Sequence, residues 1–132
     1  DEKSSNNPIK EKIKKFIENM KINFNFSKFE LILDKFEKEF VDVDIVRWTK
    51  PQGGYFISFY GMNGTAQDIV ARCKELGVKL TDAGASYPYH KDPDDSNIRI
   101  APSYPSIDNL KMALEVFTMC VKLSTIEKLL VS

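Results

Sequence analysis

SNIRIAPSYPS, Ser96 to Ser106, sets a short alternating strand against a proline-rich exit and a helix start. In Asn97-Ile98-Arg99-Ile100 the isoleucines fall on one strand face and Asn97 and Arg99 on the other, because side chains alternate with period two. Arg99 is thereby a guanidinium on a stiff backbone, a planar fork of donors that matches a carboxylate bidentately. From the strand alone a second reading stays open, an arginine paired with a nearby acid or lying on a solvated sheet face. Pro102 and Pro105 bar regular pairing beyond the strand. Ser106 is placed to cap a final helix whose inward residues include Leu110, Leu114, Phe117 and Val121.

Upstream of this stretch, Thr65 is placed to cap a helix with Ala66, Ile69, Val70, Cys73 and Leu76 inside, and Gly77 is its stop. Val78 to Leu80 then reads as a strand, followed by a mixed loop from Ser86 to Asp95. Ile45 to Thr49 and Tyr55 to Tyr60 read as two further strands around the turn Lys50-Pro51-Gln52-Gly53-Gly54. The second is so apolar that both of its faces are expected to be covered. From Pro8, Ile9, Ile13, Phe16, Ile17 and Met20 recur at helical spacing. That helix is expected to give way near Asn23-Phe24-Asn25, with Ser27 and Glu30 forming a capping box for a second helix striped by Phe29, Ile32, Leu33, Phe36 and Phe40. Residues 1–7, DEKSSNN, are too polar to offset the entropy of ordering and are expected to fray. Neighbouring hairpin strands, and too few helices to alternate with every strand, predict an α+β fold with a small, largely antiparallel sheet covered by helices.

The chain has 132 residues, enough for one domain with a real core. Nineteen basic and nineteen acidic residues cancel, with the signs mixed along the chain, so neither a nucleic-acid footprint nor an anionic-membrane surface is expected. No apolar run approaches the roughly 18 residues that would span a bilayer. Cys73 and Cys120 sit singly at apolar helix positions, which points to reduced, buried thiols and a cytoplasmic setting. The chain begins at Asp1 rather than methionine, so it is expected to be a piece of something longer.

Candidate chemistry is thin. Gly53-Gly54 is followed by a strand, not by the helix N-terminus that a phosphate loop needs. His90, the only histidine, has no partner ligands nearby, and a surface position is expected for it. Asp92, Asp94 and Asp95 lack the twelve-residue pattern of a calcium loop, and a solvated loop is the expectation there; no metal site is proposed. No nucleophile elbow, histidine-base pair or dinucleotide fingerprint is present.

Three ordered segments carry a resemblance: WTKPQGGYFISF at Trp48 to Phe59, CKELGVKLTDAGASYPY at Cys73 to Tyr89, and DSNIRIAPSYPS at Asp95 to Ser106. Together they resemble the C-terminal small domain of fold-type-I, pyridoxal-phosphate-dependent aminotransferases, within that superfamily the MocR-like or aspartate aminotransferase group. The resemblance covers roughly residues 27 to 130 and departs before Ser27. It implies a polar leader and interdomain-type helix over 1–25 and the small domain over 26–132, with the large cofactor-binding domain absent from the chain. It implies that Arg99 grips the α-carboxylate of an amino-acid or 2-oxo acid substrate, aspartate or a relative, with Asn97 buttressing the guanidinium or lining the cleft. The Gly53-Gly54 turn would lie near the mouth of that cleft. Pyridoxal 5'-phosphate would be held by the large domain of the same polypeptide in a full-length homodimer. The Schiff-base lysine belongs to that domain, so Lys50 and Lys128 are not assigned the role, and the chain alone is expected to hold neither catalytic nor cofactor-binding residues. The reading that competes with this one is a free-standing α+β module for a small carboxylate ligand or a protein partner.

Overall fold

The computed structural model describes residues 8–49, 56–101 and 106–131, and the side chains of all of these except 16–27. The expected leader, the Gly53-Gly54 turn, Lys50 and the two exit prolines lie outside the described residues. The elements run α1 (Pro8–Phe40), β1 (Arg47–Thr49), β2 (Ile57–Tyr60), α2 (Ala66–Glu75), a 3₁₀ turn (Pro88–His90), β3 (Asn97–Ile100) and α3 (Ile107–Val131). The expected α+β class holds, with one small antiparallel sheet in the order β1-β2-β3.

Register divides the sheet into two unlike faces. Phe59 pairs with Trp48 on one side and Ile98 on the other, and Ile57 pairs with Ile100, so these side chains share the face that meets the helices. Ile57, Phe59 and Ile98 are wholly buried there. Phe36 of α1 stands at the centre of this layer. Its ring centroid lies 5.3 Å from Phe59, 5.4 Å from Trp48 and 5.8 Å from Phe117, and Phe59 meets Phe117 edge-on at 5.1 Å. Each such pair adds about 0.5–1.5 kcal/mol beyond the area it buries. Leu110, Leu114, Phe117 and Val121 of α3 all face inward, as their spacing predicts, and the Ser106 hydroxyl accepts from the Asn109 N–H at 3.1 Å as the expected cap.

Charged pairs register the helices against one another. Lys35 of α1 bridges to Glu115 of α3 and lies 3.3 Å from Glu39, whose other oxygen accepts from Lys122 at 2.5 Å. Arg72 of α2 reaches Glu127 at 2.6 Å and Asp68 at 2.8 Å, while Ser124 donates to Asp68 at 2.5 Å. The Ser124 hydroxyl and Arg72, acting against some burial, hold the Asp68 carboxyl below its ordinary range.

Several local expectations are corrected. The break near Asn23–Asn25 does not occur: α1 is one helix of 33 residues, and Ser27 is inside it rather than capping a second one. Asparagine lowers helix propensity by a fraction of a kcal/mol, and neither proline nor glycine is present to force a stop. Ile9 and Ile13 of the expected apolar stripe are exposed, while the side chains of Phe16, Ile17 and Met20 lie outside the described ones. Thr65 does not cap α2; its hydroxyl donates to the Met62 carbonyl at 2.6 Å. Asp95, far along the chain, caps instead, taking the Thr65 and Ala66 N–H groups on its carbonyl and the Gln67 N–H on its carboxylate. The C-terminus of α2 is as expected: Gly77 has φ +88°, its N–H reaches Lys74, and the Val78 N–H reaches Cys73, which is the Schellman closure. Leu76, expected inside, is exposed. Val78 to Leu80 is not a strand but passes the edge of β3 with a pocket of about 70 Å³ between them. Cys73 and Cys120 are buried and free, and burial together with the neighbouring Cys120 drives the Cys73 thiol far up. None of the helices among the described residues is long and apolar enough to cross a membrane.

Candidate functional site

The second face of the sheet carries the polar residues. Alternation places Arg47, Tyr60 and Asn97 in one cross-strand row and Thr49, Ser58 and Arg99 in the next. Sequence alone expected both faces of β2 to be covered; in the structure Ile57 and Phe59 are buried, whereas Phe56, Ser58 and Tyr60 are only half-buried. That half-open face is where the strand alternation put Arg99, and Arg99 is there.

Arg99 has a distinctive environment. Its guanidinium carbon lies 4.3 Å from the centroid of the Phe56 ring, a stacking geometry that restrains the side chain and contributes about 0.5–1 kcal/mol. Its Nε–H is buried, and among the described residues it has no acceptor and no carboxylate pairs with the guanidinium. A buried charged donor without an acceptor is uncommon. Of the two alternatives left open by periodicity, the acid pairing is not seen among the described residues, and the face on which Arg99 stands is half-open.

Asn97 is 1% exposed and does not bond Arg99 directly. Its Nδ2 donates to the Ser58 hydroxyl at 2.7 Å and to the Phe59 carbonyl at 3.4 Å, while its Oδ1 has no partner. Since Ser58 is the register partner of Arg99, Asn97 touches the guanidinium's surroundings through that serine.

The entry to β3 is clamped. Asp92 accepts the Ser96 and Asn97 N–H groups at 2.8 Å each on Oδ2 and the Asp94 N–H at 3.0 Å on Oδ1. Burial works against its charge, but these three backbone donors outweigh it and hold the carboxyl below the usual carboxylate range. The Ser96 hydroxyl donates to the Gly61 carbonyl at 2.6 Å, and the Gly61 N–H returns to the Ser96 carbonyl at 2.9 Å. The aspartate run read from sequence as a solvated loop is thus the brace of the strand that bears Arg99. The D-x-x-x-S-N spacing, an acceptor ahead of a strand start, is the signal that would have found it.

Other candidates resolve plainly. His90 is exposed at the end of the 3₁₀ turn with φ +54°, remote from any metal-ligand set, and no group of three or more His, Cys, Asp or Glu side chains is placed to hold a metal among the described residues. Gly84, φ +81°, packs so closely that a Cβ there would meet the His90 carbonyl oxygen at 2.5 Å. Lys128 lies on α3 beside Gly64, in the layer packed against the other sheet face. Arg47 is exposed and stacks on Tyr60 at 3.8 Å.

The family described as aspartate amino-transferase matches residues 10–132 of the chain. An aspartate aminotransferase of Corynebacterium glutamicum is 39% identical over 100 residues, which is 76% of this chain and 23% of that protein. A crystal structure of an aspartate transaminase from the same species superposes with a TM-score of 0.75 at 38% identity, covering 79% of this chain and 24% of that one. A kynurenine aminotransferase of Pyrococcus horikoshii, at 24% identity and a TM-score of 0.62 over 76% of this chain and 24% of its own, shares the fold. The chain spans about a quarter of the length of the curated relatives it matches.

Proposed function

Because the chain belongs to the aspartate amino-transferase family, we propose that residues 26–132 form the C-terminal small domain of an amino-acid transaminase, that residues 1–25 are a leader and interdomain-type helix, and that Arg99 grips the substrate α-carboxylate. The observation that carries the assignment is the Arg99 guanidinium itself, stacked on Phe56 with a buried Nε–H that no described residue satisfies. A carboxylate that meets the guanidinium on the half-open face accepts a charge-assisted bond worth about 1.5–3 kcal/mol. Asn97 supports the site from below through Ser58.

The substrate class is aspartate or a related amino acid, with a 2-oxo acid acceptor. Pyridoxal 5'-phosphate supplies the electron sink when bound to the complete enzyme. The groups this chain places on the half-open face, a guanidinium and a hydroxyl, suit a carboxylate, and none of its residues is assigned to the cofactor. What the chain contributes is orientation: a carboxylate fixed at Arg99 restricts rotation about the substrate Cα and aims the Cα–H bond for proton removal. A cofactor domain of the same polypeptide, a homodimeric enzyme and a cytoplasmic setting complete the proposal, the last supported by two buried free thiols.

In the complete enzyme, Arg99→Ala is expected to raise the amino-acid KM and to lower kcat/KM by one or more tenfold steps, each about 1.4 kcal/mol. Steady-state kinetics unchanged by the substitution would remove Arg99 from the site. The chain alone is expected neither to bind pyridoxal phosphate tightly nor to transaminate. A visible-range Schiff-base band on adding the cofactor, abolished by substitution of one of its lysines, would contradict that.

A further inference from the structure

We propose that the Ser58 hydroxyl is a second donor to the carboxylate held by Arg99, with Asn97 as the positioning residue that aims it; the proposal rests on the reading of Arg99 above. Ser58 stands directly opposite Arg99 in the β2–β3 register, on the same half-open face. Side chains so paired have Cβ atoms about 4.5–5.5 Å apart, within reach of one shared ligand.

The hydrogen bonds give the hydroxyl a direction. Asn97 Nδ2 is shared between the Ser58 Oγ at 2.7 Å and the Phe59 carbonyl at 3.4 Å. A carbonyl only accepts, so the group facing both must be the amide nitrogen, and Ser58 is the acceptor in its own bond. The serine keeps one proton to give. Among the described residues nothing accepts it, and Ser58 is half-buried rather than sealed, so that proton is available on the half-open face that also carries Arg99. A serine hydroxyl oriented by a fully buried asparagine and a guanidinium, opposite one another in one cross-strand pair, match the two oxygens of a carboxylate.

The test uses the complete enzyme, with L-aspartate as amino donor and succinate as an unreactive carboxylate probe. Ser58→Ala is expected to weaken succinate binding, and to raise the L-aspartate KM, by about tenfold, the worth of one hydrogen bond to a charged group. Cofactor affinity should stay unchanged, and Ser58→Thr, which keeps the hydroxyl, should restore binding to within about twofold of the parent. Should Ser58→Ala strand the buried Asn97 amide and fail to fold, Ser58→Ala with Asn97→Leu removes donor and acceptor together and should show the same tenfold loss. Succinate affinity unchanged in whichever alanine variant folds, or lost equally in Ser58→Thr, would overturn the role of Ser58. Arg99→Ala separates the two claims: if it weakens succinate binding while Ser58→Ala does not, only the serine proposal falls; if neither variant weakens it, the reading of Arg99 falls as well.

Discussion

Replacing Asp92 with asparagine removes one charge and changes almost no volume, yet the structure assigns it a sizeable cost. The carboxylate takes three backbone N–H groups, from Ser96 and Asn97 at 2.8 Å and from Asp94 at 3.0 Å. In Asp92→Asn the amide oxygen can keep the first two, which fall from charge-assisted to neutral bonds, while the Asp94 N–H faces an NH₂ group and loses its acceptor. With charged bonds contributing about 1.5–3 kcal/mol and neutral ones about 1, the net loss is about 2 kcal/mol, a large share of the 5–15 kcal/mol typical of a domain. That corresponds to roughly 6 °C in Tm.

Because the folded carboxyl titrates below its unfolded value of about 3.9, its contribution is present above about pH 5 and is lost as pH falls through the folded pKa. Urea unfolding of the chain and of Asp92→Asn, followed by circular dichroism between about pH 7 and pH 2.5, measures both effects. The gap between the two proteins is expected to be widest at neutral pH and to narrow in acid. A gap of the same size at both ends, or none at neutral pH, would refute the clamp.

Phe36→Ala empties the centre of the aromatic layer and is expected to cost about 3–5 kcal/mol, enough to leave the chain partly unfolded at 37 °C, read by the same unfolding curve. Gly84→Ala forces a Cβ to 2.5 Å from the His90 carbonyl at φ +81°; a loss of about 2 kcal/mol or more is expected, and a neutral result would mean that the 84–92 loop is not held as described.

What sequence reveals here divides by range. The face assignments of β3 and α3 follow from period two and period 3.6, local rules that operate within a few residues, and Arg99, Leu110, Leu114 and Phe117 stand where those rules put them. The open face of β2 is not legible in the sequence because an aromatic such as Phe56 or Tyr60 signals burial equally well when it is stacking under an arginine. The Val78 to Leu80 stretch has strand chemistry, but a strand exists only by pairing, and among the described residues no strand pairs with it. The cap of α2 was placed on Thr65 because a cap is sought next to its helix, whereas Asp95 arrives from 30 residues away once the chain doubles back. For Arg99 the strand alternation supplies the face and the family resemblance supplies the proposed partner, while the serine opposite it is visible only through register.

Asp95 has a mechanical consequence. Its backbone and side chain hold the first turn of α2, while its neighbours Asp92 and Ser96 pin the start of β3 to its own approach loop and to Gly61. The strand cannot slide or tilt without dragging a helix and a neighbouring strand end with it. Arg99 is therefore mounted as a post in a frame: its side-chain torsions can adjust, but any larger change in where the guanidinium points must come from displacement of the whole frame.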